Sequence, residues 1–329
     1  MWSYLCGGVV KCTTAPMSNN CNDSTIKKEM KKLIVTMAAA VLTAVCGEAQ
    51  LLWRVSGNGA KESSYLFGTH HVAPVALLDS VAGFADAFGG AEMIVGEIDM
   101  AQAEGPDAQA VMMKYAMAPA DSLLTMVLTP AQADSVNTVM NEYSGGMIGD
   151  AVAAMAPLKP AVVMTQIAML QNVKIFPGFN PAVQLDGTIQ SMGREKGKKI
   201  VALESLDDQF GLLFGSPISM QANDLMTAVR DDRSGRGMTM ARRLADAYMS
   251  QNIDSLAAMF ADPEVIDSEA TARLITVRNE AWLRRLPGIF ADGSALVVVG
   301  AGHLVGPDGL IERLRAAGYD VTPASGHDD

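Results

Sequence analysis

Leu66-Phe67-Gly68-Thr69-His70-His71-Val72-Ala73-Pro74 and, far along the chain, Val298-Val299-Gly300-Ala301-Gly302-His303-Leu304-Val305-Gly306-Pro307 read as two versions of one segment. Each is an apolar run, then Gly-x-x-His, an apolar residue and, shortly after, a proline. Such a run reads as a buried strand, and the glycine predicts a sharp backbone turn where the strand ends. Each histidine is then expected just past a strand's carboxyl end, where open α/β sheets gather ligands and catalytic groups. The pair holds three of the chain's four histidines. Two histidines delivered this way suit a metal or an acid/base site.

Four runs read as strands covered on both faces. They are Ser64-Tyr65-Leu66-Phe67, Met93-Ile94-Val95-Gly96, Ile200-Val201-Ala202-Leu203 and Ala295-Leu296-Val297-Val298-Val299. They are short, nearly continuous and aliphatic, the signature of strands inside an α/β sheet. Each runs into a polar group of chemical use: His70 and His71, Glu97, Glu204, and His303. Four such endings predict one composite site at one edge of the sheet.

Residues 100–192 read as mostly helical, a large insertion between strands, with Thr129-Pro130-Ala131-Gln132 as an N-cap followed by proline at the first helical position. Residues 220–285 also read as helical, although Ser268-x-x-Thr271 lacks the acidic fourth residue of a capping box. Leu310–Gly318 reads as an amphipathic helix closed by glycine, and Tyr319–Thr322 as a last strand. The expected class is α/β, with a mixed or mostly parallel central sheet flanked by helices. The methionines read mainly as adaptable core filler. Met112, Met113, Met117 and Met126 are the candidates for a soft apolar groove.

The start of the chain reads as a leader. Met30-Lys31-Lys32, an apolar stretch from Leu33 to Val45 and the small residues that follow have the order of a secretory signal peptide, with Gly47-Glu48-Ala49 as the cleavage site before Gln50. Residues 1–29 are polar and irregular and read as lying ahead of the true start at Met30. The apolar stretch is short of the roughly 20 residues that span a bilayer. Thr43-Ala44-Val45-Cys46 is a loose lipobox, so lipid anchoring at Cys46 is the one expected route to a membrane. The expected location is periplasmic or secreted. Residues 50–323 read as a single domain, and 324–329, with His327, as a disordered tail. All four cysteines (Cys6, Cys12, Cys21 and Cys46) lie in the leader. The exported part would therefore use no disulfide, no cysteine nucleophile and no thiolate-bound zinc. The net charge is −11, and removing the lysine-rich leader makes the remainder more acidic still. Nucleic acid is excluded as an expected partner.

Gly68-Thr69-x-His71-Val72-x-Pro74, paired with Gly300-x-Gly302-His303, resembles the TraB/PrgY/GumN family, whose wider group includes the Tiki metalloproteases. Glu97 after its strand, Leu203-Glu204-Ser205-Leu206-x-x-Gln209, Asp186 ahead of Gly197-Lys198-Lys199, and Arg278-Asn279 before the last long strand follow the same family order. The resemblance implies a fold related to erythromycin esterase and the haem-binding ChaN proteins. It also implies a metal-dependent peptidase acting on a peptide or protein substrate.

In that reading His71, His303 and Glu97 hold a divalent ion (manganese, cobalt or zinc) that acidifies a bound water, since a hydrolytic metal takes about three protein ligands and keeps one position open. Glu204 is the base, although the two glutamates could exchange roles. Arg278 stabilises an oxyanion or holds a carboxylate. Asp186 orients a histidine, His70 is either a spare ligand or a neighbour of the site, and Asn279 is a further supporting residue. Two other functions remain open from the sequence: a haem or iron binder using His70 or His71 with His303, and a non-catalytic envelope interaction protein. No phosphate-loop spacing and no Gly-x-Ser-x-Gly elbow is present.

Overall fold

β5 (Ala295–Gly300) is one of the two central strands of a six-stranded sheet ordered β4-β3-β5-β2-β1-β6. This computed structural model describes residues 50–324 except 177, 178, 181, 182, 266 and 267. The signal peptide, the start at Met30, lipid anchoring at Cys46 and residues 325–329 of the tail, with His327, fall outside the described residues. Ala324, expected to begin that tail, is instead buried and donates its N–H to the Leu52 carbonyl at 3.0 Å. β2 (Ser64–Thr69), β3 (Met93–Gly96) and β4 (Lys199–Ala202) run parallel with β5. β1 (Leu52–Ser56) pairs antiparallel with both β2 and β6 (Asp320–Pro323), so the sheet is mixed but mostly parallel. Ala295 to Val299 are all buried, as an unbroken aliphatic run covered on both faces requires.

The expected α/β class is therefore the observed one. All four expected strands are present, Met93–Gly96 with the bounds expected and the other three shifted by a residue or two, and the last strand occupies 320–323. β1 is a strand that the sequence reading left out. Its alternation is interrupted at Arg54, and its signal lay in the turn that follows, where Gly57, Asn58 and Gly59 all take positive φ (78°, 43° and 81°) before β2.

The long connections are helical. Between β3 and β4 lie Pro106–Ala116, Pro130–Ser144, Pro160–Ile175 and Leu185–Glu195. Thr129 caps the second of these in a reciprocal box with Gln132, one element more than the expected cap and proline. Between β4 and β5 lie, among others, Leu206–Phe214, Ile218–Arg233, Arg236–Met249 and Ile253–Phe260. The chain then passes through a π-helical turn, Ala272–Thr276, directly into Val277–Leu283. Leu124, Val136, Val139, Ile167, Leu225 and Val229 form a buried cluster of their own, apart from the core on the sheet. Among the described residues, no helix is long and apolar enough to cross a membrane.

The register brings the chemistry level. Thr69 is opposite Gly300, and Gly96 is opposite both Val298 and Ala202. The residues after β2, β3, β4 and β5 therefore emerge along one edge.

The motif glycines act differently from expectation. Neither Gly68 nor Gly300 takes a positive φ. Gly68 is needed for close packing: a Cβ there would sit 3.0 Å from Leu304 Cδ1 and 3.1 Å from Ala301 Cα. The turn that delivers His303 thus rests on the bare backbone of β2. Gly68→Ala crowds the Leu304 side chain and Ala301, which must give way by a few tenths of an ångström. We expect a loss of about 1–3 kcal/mol in urea unfolding, the usual cost of overpacking, with far-UV circular dichroism unchanged at low denaturant.

Candidate active site at the carboxyl edge of the sheet

After β2, Thr69 and His71 both reach one carboxylate. Thr69 Oγ1 donates to Asp186 Oδ1 at 2.7 Å, and His71 Nδ1 pairs with Asp186 Oδ2 at 3.0 Å. Asp186 is buried in the first turn of Leu185–Glu195, where the helix N-terminus favours negative charge. A carboxylate only accepts, so Nδ1 of His71 carries the hydrogen and Nε2 is left as the free ring nitrogen. The charge of Asp186 raises the His71 pKa to about 9, against the opposing effect of burial. His71 remains exposed at its outer face. His70 turns inward between Phe176 and Tyr248, with ring centroids 5.9 and 5.4 Å away. Its buried Nδ1 has no hydrogen-bond partner, and burial lowers its pKa to about 4.

After β5, His303 is held from the opposite side. Its Nδ1 lies 2.8 Å from Asn279 Oδ1, while Asn279 Nδ2 donates to the carbonyls of His303 (3.0 Å) and Asp308 (2.8 Å). Those two carbonyls fix which way the amide points, so His303 is protonated on Nδ1. Its Nε2 lone pair accepts from Arg278 Nη1 at 2.9 Å. Burial, with the Arg278 charge acting in the same direction, lowers the His303 pKa to about 3.

Arg278 is the hub. Its Nη2 donates to Glu97 Oε2 and to Glu204 Oε1 (2.6 Å for the latter), and its Nε donates to Glu204 Oε2 at 3.0 Å. Glu97 Oε1 accepts the Gly300 N–H at 2.8 Å, which ties the end of β3 to the end of β5. Burial pushes the Glu97 carboxyl up, but His303, Arg278 and His71 outweigh it and hold the pKa at about 2. Glu204 reaches this position because the β3–β4 pairing continues beyond the strands, its N–H bonding the Glu97 carbonyl at 2.9 Å. Gln209 Nε2 bridges both glutamates at 3.3 and 3.2 Å.

Trp282 lies beneath this cluster. The Arg278 guanidinium carbon stands 4.7 Å from the centre of its ring, and the His303 ring 4.4 Å. Trp282 is a residue that the sequence reading missed. The available signal was its position four residues after Arg278 on one helix face.

The structure gathers His71, Glu97, Arg278 and His303, with His70 beside them, on the wall of one cavity of about 370 Å³. Much of the remaining wall is apolar: Val72, Met169, Leu244, Tyr248, Leu256, Phe260 and Ile275. Glu204 faces a neighbouring cavity of about 610 Å³ on the far side of Arg278, with Ser205, Asp208, Trp282 and Arg285. Asp186 and Asn279 sit behind the two histidines. Met112, Met113 and Met126 are exposed elsewhere, and none of them lines these cavities.

In kind, His71, His303 and Glu97 are donors suited to a divalent ion. As placed they do not fit one. The atoms that would face the metal, His303 Nε2 and Glu97 Oε2, both point at Arg278, so the cationic position is already filled. Among the described residues, no three His, Cys, Asp or Glu side chains converge as a metal-holding group.

Residues 51–323 match the TraB/PrgY/gumN family. The chain belongs to this family. Comparison with curated proteins and with solved structures finds no match. The TraB/PrgY/gumN match contains both Gly-x-x-His motifs, both glutamates, Asp186, Arg278 and Asn279.

Two substitutions probe this electrostatic frame. Asp186→Asn removes the charge that raises His71, so its imidazole, followed by NMR, should titrate well below about 9. A pKa raised on folding stabilises fully below the unfolded value of about 6.5 and is lost as pH rises through the folded one. The variant should therefore be the less stable protein near pH 6, and the gap should close above pH ~9. Arg278→Met keeps the stem but leaves Glu97 and Glu204 buried without a cation. We expect a loss of roughly 3–5 kcal/mol in urea unfolding, shrinking as pH falls and Glu97 protonates.

Proposed function

We propose that this chain is a hydrolase that cleaves an acyl bond, with peptides as its substrate class, in the cavity between its two Gly-x-x-His motifs. One observation carries the reading. Each motif histidine is tethered through Nδ1 to a buried partner, Asp186 or Asn279, and both line the cavity that Arg278 borders. Their surroundings put the two rings in opposite protonation states near neutral pH. His71 is kept protonated by Asp186, and His303 is kept neutral by burial. Two like groups whose environments push their pKa values apart are suited to acid and base roles.

The chemistry follows from those states. The substrate carbonyl oxygen takes up Nη1 of Arg278, releasing His303 Nε2 to accept a proton from water. Glu97, with Oε1 at 3.8 Å from His303 Nε2, stabilises the imidazolium that forms. Hydroxide adds to the acyl carbon, the carbon–nitrogen bond breaks, and His71 protonates the leaving amine. Solvent then returns the proton from His303 to His71. Both oxygens of Glu204 are engaged by Arg278, which supports a role in anchoring the guanidinium over the expected role as base.

A second reading, the metal-dependent peptidase that the family resemblance implies, is favoured by the same Nδ1 tethers, since a metal-binding imidazole is usually oriented by a hydrogen bond from its other ring nitrogen. It requires Arg278 to leave His303 and Glu97. Haem ligation by His303 has less support, because its Nε2 is buried and capped by Arg278.

The test is hydrolysis of a mixed set of quenched fluorescent peptides by chelator-treated protein. We expect activity to persist and to fall roughly 10²–10⁴-fold in His71→Ala and in His303→Ala, the usual share of a general acid or base. The rate should decline as pH rises through about 9, where His71 loses its proton, and Asp186→Asn should move that limb to lower pH. Activity that vanishes on chelation and returns with manganese, cobalt or zinc, with binding lost in the double histidine variant, would establish the metal reading. A folded protein that hydrolyses nothing under either condition rules out both.

A further inference from the structure

Phe260, the last residue of Ile253–Phe260, is a wall shared by three cavities. One is the reaction cavity. The second, about 460 Å³, lies toward Ala257, Pro263, Ala272, Val305 and Pro307. The third, about 260 Å³, lies among Met240, Leu244 and Met259. The first two also share Ile275 and Gly302. Gly302 lets the ring come this close: a Cβ there would lie 2.7 Å from Phe260 Cζ. The partition between the cavities therefore packs directly on the backbone beside His303. Ile275, on the π-helical turn that leads into Arg278, completes the partition.

We propose that the second cavity is a specificity subsite for a peptide substrate, holding an apolar side chain next to the one seated in the reaction cavity, with Phe260 as the residue that separates them. The inference rests on the hydrolase reading above and names its substrate: an extended peptide with apolar residues at alternate positions. The two cavities adjoin across Phe260, Ile275 and Gly302, which places neighbouring side chains of one peptide as their proposed occupants. Their mostly apolar lining selects apolar groups, and both volumes fall in the range that holds small ligands. An extended chain presents alternate side chains to one face roughly 7 Å apart. A ring that divides the space suits such discrete side chains better than one continuous acyl tail.

The probe is a fluorescein-labelled octapeptide of glycine and serine carrying two leucines one residue apart, compared with single-leucine and leucine-free versions. Binding is read by anisotropy in a His71→Ala background, which slows turnover and leaves Phe260 untouched. We expect each leucine to tighten binding about tenfold, the low end for an apolar group in a matching pocket. Ala272→Trp fills the second cavity from an exposed position. It should reduce the two-leucine peptide to single-leucine affinity and leave the single-leucine peptide unchanged. Pro307→Trp, exposed on another wall of that cavity, should do the same and serves if the first variant does not fold. Equal binding of all three peptides, or a two-leucine affinity untouched by either tryptophan in a folded variant, overturns the subsite. A leucine preference in a protein that never cleaves sustains the subsite and removes the hydrolase reading. Cleavage without leucine preference removes the subsite alone.

Discussion

Two carboxylates lie side by side at the end of the sheet because one guanidinium is shared between them. Glu97, Glu204 and Arg278 keep only 8%, 9% and 12% of their side-chain surface. Burying any of them alone would carry a penalty of several kcal/mol. Together they form a planar, multiply hydrogen-bonded group set on the face of Trp282, a pairing that the fork of arginine provides and lysine does not. Glu97 ties β3 to β5, Glu204 comes from the end of β4, and Arg278 arrives from the helical region before β5. One ionic cluster thus fastens three strand ends and leaves the fourth, β2, to the separate tether of Asp186.

The separation of the two tethers is the electrostatic basis of the site. A carboxylate behind His71 favours its charged form. Burial of His303, with a guanidinium in front of it, favours its uncharged form. The two histidines come from similar sequence segments but sit in opposite environments, which a motif read as symmetrical does not convey.

The sheet was legible because its strands are buried on both faces. Ala295 to Val299 has no alternative as a surface strand, and the polar residue after each such run has to emerge at the carboxyl edge. β1 was hidden by Arg54, and its hairpin was marked only by Gly57-Asn58-Gly59. The residues of the site were legible as types at strand ends: His71, Glu97, Glu204 and His303 all lie along that edge. Their partnerships were not. That Arg278 would stand on His303 and Glu97 depends on the phase of a helix entered through a π-helical turn, and local sequence does not announce such a turn. Phe260 contributes through packing across distant segments, which period and propensity do not encode.

The cavity is built on two independently packed foundations. Its reacting wall rises from the sheet core. Thr165, Ala168, Met169 and Asn172, on the opposite wall, belong to Pro160–Ile175, whose other face is fixed by Val163 and Ile167 in the separate helical cluster. Changes on that helical wall need not strain β5 or the ionic cluster, because they are absorbed in a different core. Descendants of this architecture could exchange what they recognise while inheriting the same strand-end chemistry, the helical insertion serving as the replaceable half of a two-part mould.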